Sequence, residues 1–436
     1  MPEEDAYPLP GSRFGRLMRL GGMSSGVLGG MVTSGLGQIA RGQRPSLSSA
    51  LLTPTTAARI TRDLGRMRGA AMKLGQMLSM DEGAVLPPEM TAIMARLRAE
   101  APPMPPAQLR DVLDAEWGKG WRKGFTRFDV RPFAAASIGQ VHRATAHDGT
   151  DLAIKVQYPG VRESIDSDID NLGSLLRLPG LLPRRMDLSL LLAEAKRQLH
   201  LEADYTAEAQ HLGSFSRLLA GDDSFRLPDL HADLSTSRVL AMRYVESQPI
   251  DALTKAPQDL RDRVAGVLID LVLRELFDFG MMQTDPNLAN YRYDPASGRI
   301  VLLDFGAVMP IAPGLAEDFR HLLNAALDQD KAATRRAMLG IGYFDETTPP
   351  RHQALIEAMF DTAMAPLRQS EPFDFSRADL IPTLRDMGME MGTERELTHI
   401  PPPATLFLHR KIGGIYLLAT RLGARVSLRP MLERYR

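Results

Sequence analysis

The chain contains no cysteine. That absence excludes disulfides, thiolate metal sites and a cysteine nucleophile, and it suits a reducing compartment. A charge excess is lacking as well: 52 Lys and Arg against 53 Asp and Glu leave a formal net charge of −1. No cationic stripe interleaved with aromatics supplies a local reason to expect nucleic acid as a partner. No charged segment followed by an apolar core and a cleavage site marks a signal peptide, and no apolar run reaches transmembrane strength. What remains is ordinary for a globular protein, with 44% apolar and 24% charged residues over 436 positions. That length accommodates two or three lobes and a sizeable core.

Charge is segregated at the start. Between Gly11 and Met72 stand nine arginines and one acid, Asp63, while residues 20–40 carry no charge at all. Gly22, Gly26 and Gly30 fall at the four-residue spacing that lets helices approach closely in lipid, which also permits a homodimer. Two readings fit residues 1–50: a flexible Gly-rich leader, or a membrane-interface helix held to anionic, cardiolipin-rich lipid by flanking arginines. Over residues 55–80 the apolar positions Ile60, Leu64, Met67, Ala71, Leu74 and Leu78 form one helical stripe. Lys73 and Gln76, three apart, share the opposite face, which by itself reads as solvated surface. The Pro-rich run Ala101–Pro106 marks a boundary before a further helix, Ala107–Trp117, and a β-rich region.

Residues 281–307, MMQTDPNLANYRYDPASGRIVLLDFGA, organise the rest. A turn at Asp294–Gly298 separates two β-prone runs, Tyr291–Tyr293 and Ile300–Leu303, and predicts a hairpin. Folding about that turn brings Asn290 close to Asp304 at the open end, with Asp285 one loop upstream. Two carboxylates and a carboxamide are hard oxygen ligands of the kind that suits Mg²⁺, which fills its shell with water and substrate phosphates. Phosphoryl transfer is the chemistry this suggests.

Upstream, Asp151–Tyr158 (DLAIKVQY) alternates as a strand, and its Lys155, taken alone, reads as simply exposed at a strand end. A strand lysine, an Asp with an Asn five residues later (Asp285, Asn290) and then Asp304-Phe305-Gly306 follow the order of the protein-kinase motifs. The loop that precedes the lysine strand in kinases has the pattern GxGxxGxV. Here Ala134 and Ala136 replace the first two glycines, and Gly139 and Val141 are retained. Alanine restricts positive φ and puts a methyl group where backbone would approach phosphate, so altered γ-phosphate geometry is expected. Gln283 and Thr284 stand where the kinase loop has His and Arg, and no APE motif follows soon after DFG, so control by activation-loop phosphorylation is not expected.

With these motifs the chain resembles the UbiB/ADCK family of atypical protein-kinase-like proteins linked to ubiquinone (coenzyme Q) biosynthesis. The likeness runs from about residue 59 onward. It rests on Lys73-Leu74-Gly75-Gln76 (KxGQ), Ala134-Ala135-Ala136-Ser137 (the Ala-rich loop), Glu202-Ala203-Asp204 (ExD) and the kinase-like motifs. The wording TDPNLAN, with Asn287 where many UbiB-type members have histidine, is closest to the ADCK branch. The hydrophobic C-terminal tail of many bacterial UbiB proteins is not seen.

The resemblance implies a bilobal α+β kinase-like fold, with leader 1–50, a helical KxGQ extension over 51–106 packed on the active site, an N-lobe over 107–245 and a C-lobe over 246–436. It implies ATP or ADP with Mg²⁺ bound between the lobes. Ala134, Ala135, Ala136, Ser137, Gly139, Val141, Lys155 and Met242 would contact nucleotide. Lys155 would pair with Glu208, Asn290 and Asp304 would hold the metal, and Asp285 would act as base. Lys73, Gln76, Glu202 and Asp204 would form a lid over the groove where a kinase places its peptide. By spacing alone, Asp204 and Glu208 share a helix face while Glu202 points elsewhere. His409 reads as structural, and residues 407–422 read as an apolar C-lobe helix with Arg410 and Lys411 at its basic start. The expected function is an atypical ATPase or small-molecule kinase supporting ubiquinone biosynthesis; the alternative is a nucleotide-gated scaffold for lipid-biosynthetic enzymes without essential turnover. Expected partners are nucleotide, an anionic membrane surface, and ubiquinone-biosynthesis proteins or lipid intermediates. The expected location is bacterial cytoplasm, peripheral on the inner membrane, with the mitochondrial matrix as alternative.

Overall fold

The computed structural model describes Gly69 and residues 103–176, 189–285, 287–377, 379–392 and 402–436. The leader expected over 1–50 lies outside the described residues, as does most of the extension over 51–106. Backbone contacts divide the chain into two units, Met1–Gly213 with Pro228–Tyr244, and Ser214–Leu227 with Val245–Arg436. The main division falls one residue before the one expected from sequence. The segment Ser214–Leu227, expected in the first lobe, belongs to the second unit because its strand β5 (Phe225–Arg226) pairs in parallel with a strand of that unit, Arg299–Leu302.

The first unit is built on an antiparallel sheet of β1 (Phe125–Phe128), β2 (Ala134–Ala135), β3 (Gly139–Ala146), β4 (Asp151–Gln157) and β6 (Val239–Arg243), with the path β1-β3-β4-β6 and β2 on β3. Register decides its two faces, because side chains alternate along a strand. Leu152, Ile154 and Val156 of β4 lie opposite Ala144, His142 and Gln140 of β3, and Ile154 lies opposite Ala241 of β6. Most of this face is core. It packs on helix α1 (Pro106–Trp117), whose Leu109, Val112 and Leu113 recur at helical spacing behind a proline suited to the first turn. Trp117, Trp121, Phe125 and Phe128 close the edge of this core at centroid separations of 4.8–6.2 Å. The other face presents Val141, Ala153, Lys155 and Met242, since Val141 pairs with Lys155 and Ala153 with Met242. Three further helices follow: α2 (Val161–Leu176), α3 (Ser189–Glu202) and α4 (Tyr205–Leu218).

The second unit is largely helical. Helix α5 (Gln258–Phe277) runs through its middle, burying Val264, Leu268, Leu271 and Val272. Two hairpin-like ribbons follow. In the first, β8 (Met281–Gln283) pairs with β11 (Val308–Pro310); in the second, β9 (Tyr291–Asp294) pairs with β10 (Arg299–Leu302) and, on its other edge, with the short β7 (Gln248–Pro249). Helices α6 (Pro313–Leu327), α7 (Lys331–Ile341), α8 (Pro350–Met364), α9 (Leu380–Gly392) and α10 (Pro403–Leu422) complete it, with a short ribbon Phe373–Asp374 on Arg425–Val426 that the sequence pattern does not reveal. Gly423, in the left-handed region with φ 58°, ends α10 by donating its N–H to Thr420. His409 stacks on Tyr343 and shares a 2.7 Å hydrogen bond with its hydroxyl, a structural contact. The helix expected over 407–422 begins earlier, at Pro403, and Lys411, at the basic start of the expected segment, is fully buried. Among the described residues no helix is long and apolar enough to cross a membrane.

The Gln140-Val141-His142 stretch after the Ala-rich loop has a packing role. Gln140 accepts from the Met104 backbone N–H at 2.8 Å and contacts His142 Nε2 at 2.8 Å, while His142 Nδ1 contacts the Asp129 carbonyl at 2.8 Å. A Gln amide donating to Nε2 and a carbonyl accepting from Nδ1 define one neutral tautomer. Burial pushes His142 below its ordinary value of 6.5, against the opposing pull of the Asp129 carbonyl. The unfolded chain therefore binds the proton first as pH falls. The stability that neutral His142 contributes is complete above about pH 6.5 and is lost as pH drops toward the folded value. Urea unfolding followed by circular dichroism is expected to show a midpoint that falls on acidification below about pH 6.5, with a shallower fall in His142→Gln; identical pH slopes in the two proteins would contradict the assignment.

Candidate active site

On the open face of the first sheet, Lys155 Nζ lies 2.8 Å from both carboxylate oxygens of Glu208. The lysine is 8% exposed and the glutamate 1%. Glu208 occupies the first turn of α4, where the helix dipole favours a negative charge. The ring of Tyr205, at the start of the same helix, lies 4.9 Å from Nζ and adds a cation–π contact. Sequence reasoning named the ion pair and missed Tyr205, because nothing in its neighbourhood distinguishes it from a core aromatic.

The Ala-rich loop folds back on β3, with Ala134 opposite Val141 and Ala135 opposite Gln140. Ala134 and Ala135 are exposed, and Ala136 donates its N–H to the Gly139 carbonyl at 2.9 Å. Gly139 is a close-approach glycine: an added Cβ would lie 2.4 Å from the Val156 carbonyl oxygen and 2.9 Å from the Tyr205 hydroxyl. The retained glycine thus has a packing reason independent of any ligand. Ser137 Oγ donates to the Glu202 carboxylate, joining the loop to the ExD motif.

The ExD geometry corrects the spacing argument. Helix α3 ends at Glu202 and α4 begins at Tyr205, so the three acids do not lie on one regular helix. Asp204 stands at the N-cap of α4, its Oδ1 accepting from the backbone N–H of Thr206 (3.0 Å) and Ala207 (3.3 Å). Gln157 donates to the Ala203 carbonyl at 3.0 Å and braces the break. Released from the helical repeat, Glu202 reaches Ser137, while the Asp204 carboxylate turns back to cap α4. Lys73 and Gln76 lie outside the described residues. Gly69, described, helical and buried, packs on the loop: its missing Cβ would be 2.8 Å from Ile138 Cγ2 and 3.3 Å from the Ser137 carbonyl oxygen.

In the second unit the expected hairpin forms, with Tyr291 opposite Leu302 and Tyr293 opposite Ile300. Its turn is held by Asp294, whose carboxylate accepts from Ala296, Ser297 and Arg226; those bonds, that of Ser297 foremost, pull it down to about 2. At the open end Leu303 donates to the Asn290 carbonyl at 3.1 Å, which fixes where Asp304 leaves the ladder. Asn290 donates to the Asp285 carbonyl (3.2 Å) and to its carboxylate (3.3 Å). Asp304 Oδ1 accepts from the Gly306 N–H at 2.9 Å, and Phe305 is buried against Phe215 at 4.9 Å between centroids. Thr284, where kinases have the loop arginine, binds the Ala307 carbonyl through both its N–H (2.7 Å) and its hydroxyl (3.0 Å). It ties the segment bearing Asp285 to the one bearing Asp304.

An amine held by a buried carboxylate, and a separate set of two carboxylates with a carboxamide, are the working parts of phosphoryl transfer. The profile of the ABC1 atypical kinase-like domain matches residues 96–338. The chain belongs to the ABC1 family of atypical kinase-like proteins. It is 37% identical over 430 residues to the mitochondrial atypical kinase COQ8 of Saccharomyces cerevisiae, covering 98% of this chain and 85% of that one. It is 36% identical to mitochondrial COQ8B of Rattus norvegicus, over 98% and 80% of the two chains. With mitochondrial coq-8 of Caenorhabditis elegans the identity is 38%, and the alignment takes in 96% of this chain but 56% of the longer relative. The solved Rv3197–erythromycin complex from Mycobacterium tuberculosis is 26% identical, with a TM-score of 0.57 over 88% of this chain and 97% of that one. The expected bilobal, mixed α and β kinase-like architecture is thereby shown, in a chain whose relatives are atypical kinases.

An ABC1-type site calls for Mg²⁺, and the donor chemistry fits. Asp304, Asn290 and the Asp285 carboxylate offer oxygen ligands, and among the described residues no cluster of three or more His, Cys, Asp or Glu could hold a metal alone. Hard oxygen donors of this kind suit an ion that completes its shell with phosphate and water.

Two outcomes follow for the first unit. Gly139→Ala forces a methyl group against the backbone carbonyl of Val156, which has no flexible end to yield, and is expected to cost about 1–3 kcal/mol in chemical denaturation; an unchanged midpoint would show that the strands separate freely here. Glu208→Leu strands a buried ammonium and is expected to cost about 3 kcal/mol, whereas Lys155→Met with Glu208→Leu together costs less. Equal losses in the single and double variants would mean that the pair is not coupled.

Proposed function

We propose that the chain is a Mg²⁺-dependent atypical ATPase or small-molecule kinase that supports ubiquinone biosynthesis. The observation that carries this reading is the buried, bidentate Lys155–Glu208 pair, present together with an Asp285–Asn290 hydrogen bond and an ordered Asp304. Lys155, held by Glu208, contacts the α- and β-phosphates of ATP or ADP. Val141 and Met242 share the lysine's sheet face and line the base, and the loop Ala134–Gly139 covers the phosphates. Asn290 and Asp304 hold the metal, which when bound neutralises charge on the transferred phosphoryl group. Asp285 takes the proton of the attacking hydroxyl or water, its carboxylate oriented by Asn290. So complete a set favours turnover over a scaffold that binds nucleotide without using it.

The acceptor in this reading is a small or lipid-borne hydroxyl rather than a protein. Lys73 and Gln76, outside the described residues, would act with Glu202 and Asp204 as a lid against peptide substrates, as the KxGQ and ExD motifs imply; the packing of Gly69, upstream of Lys73, on Ser137 and Ile138 supports this reading. The protein works as a peripheral partner of an anionic, cardiolipin-rich inner membrane, bacterial or mitochondrial, alongside ubiquinone-biosynthesis proteins, and the spacing of Gly22, Gly26 and Gly30 serves a homodimer. The mitochondrial setting of the relatives accords with the matrix location.

The test is phosphate release from Mg-ATP by the full chain, with and without cardiolipin-containing liposomes. Turnover is expected to rise with liposomes and to vanish in Asp304→Asn. Equal rates in the wild type and Asp304→Asn would defeat the proposal.

A further inference from the structure

Beneath the loop that carries Asp285 lies a buried polar cluster drawn from three elements. Glu275 comes from the last turn of α5, Gln283 from the end of β8 and Lys411 from the middle of α10. Glu275 and Lys411 are each 1% exposed and Gln283 is 5% exposed. Lys411 Nζ lies 3.0 Å from Glu275 Oε2, and it donates to Gln283 Oε1 at 3.1 Å. Gln283 Nε2 in turn donates to the Asp285 backbone carbonyl at 2.8 Å, the same carbonyl that accepts from Asn290. The Gln283 backbone N–H faces Glu275 Oε1 at 3.4 Å.

A buried ion pair is weak evidence for stability, because well-packed apolar residues of similar volume usually serve as well. A polar reason for this one lies in the direction of its hydrogen bonds. An amide side chain reads the same in shape when its oxygen and nitrogen exchange, and only its partners decide which way it faces. An ammonium has three donors and no acceptor. Lys411 therefore holds the oxygen of Gln283 toward itself, and the NH₂ group is left to face Asp285. Without the cation the amide could turn, setting its oxygen against the Asp285 carbonyl and loosening the loop. Burial works against the Lys411 charge, but the Glu275 carboxylate, with the Tyr291 hydroxyl beside it, outweighs burial and holds the lysine above its usual range.

We propose that Lys411, kept charged by Glu275, is a positioning residue that sets the orientation of Gln283 and through it the backbone of Asp285. In this relay Gln283 does by hydrogen bonding what the histidine of the kinase loop cannot do in this chain, since that residue is replaced. The proposal rests on the reading of Asp285 as the base, and the experiment separates the two.

The deciding variant is the swap Glu275→Gln with Gln283→Glu. It keeps the heavy-atom shape and the net charge, moves the carboxylate that pairs with Lys411 from position 275 to position 283, turns one of the two position-275 oxygens facing Lys411 into an amide nitrogen, and replaces the donor facing the Asp285 carbonyl by an oxygen. Turnover of Mg-ATP is expected to fall at least about tenfold with KM changed by less than about twofold, and amide hydrogen exchange over residues 284–291 is expected to speed up. Lys411→Met with Glu275→Leu, which replaces the ion pair by apolar volume, should fold and show the same two changes. Wild-type turnover and exchange in both variants would overturn the inference, leaving the base assignment intact if Asp285→Asn is inactive. Full turnover in Asp285→Asn would instead overturn the base assignment and this inference with it. Faster exchange and lower turnover in the swap, with wild-type values in Lys411→Met with Glu275→Leu, would overturn the role of Lys411.

Discussion

Lys155 is an ammonium buried in the face of a sheet, and a charge in that setting persists only with an opposite charge held against it. Glu208 meets that requirement at 2.8 Å, and much of the first unit follows from bringing it there. The glutamate has to stand in the first turn of a helix, so the preceding helix has to end at Glu202. Asp204 caps the new helix, Gln157 braces the gap and Tyr205 slides beneath the lysine. Tyr205 and the Val156 carbonyl then leave room at position 139 for a hydrogen atom alone. The ion pair, the helix break, the tyrosine and the glycine are one constraint satisfied four ways.

The second unit solves a different problem. The kinase loop histidine and arginine are absent, and their places are taken by smaller or neutral side chains that bind backbone. Thr284 grips the Ala307 carbonyl, and Gln283 grips the Asp285 carbonyl. Orientation of the acids therefore rests on main-chain carbonyls, which do not swing, with a buried Lys–Glu pair behind one of them. The chain after DFG passes directly through β11 into α6.

Several features were legible in the residues because their causes are local. The hairpin over 291–302 is written in its turn and its flanking β-prone runs, and Asp294 holds the turn through bonds to residues two and three ahead. Alternation in DLAIKVQ marked the strand, but Lys155, which alone reads as exposed at a strand end, is buried opposite Val141 on the face away from Leu152, Ile154 and Val156. Pairing of Lys155 with Glu208 came from motif order and not from physics, for 53 residues separate them.

By itself, then, the sequence determined the kinase-like order of functional groups, the hairpin over 291–302 and the absence of any cysteine chemistry. Only the tertiary structure decided that Asp204 is a cap, that Gly139 answers to Val156 and Tyr205, that Ser214–Leu227 belongs with the second unit, and that Lys411 is a core residue. The reason is the same in each case. A helix break, a missing Cβ and a buried charge are set by atoms tens to more than a hundred residues away, and no local period records them. Lys411 reads as one more base beside Arg410 until Glu275, 136 positions earlier, closes over it.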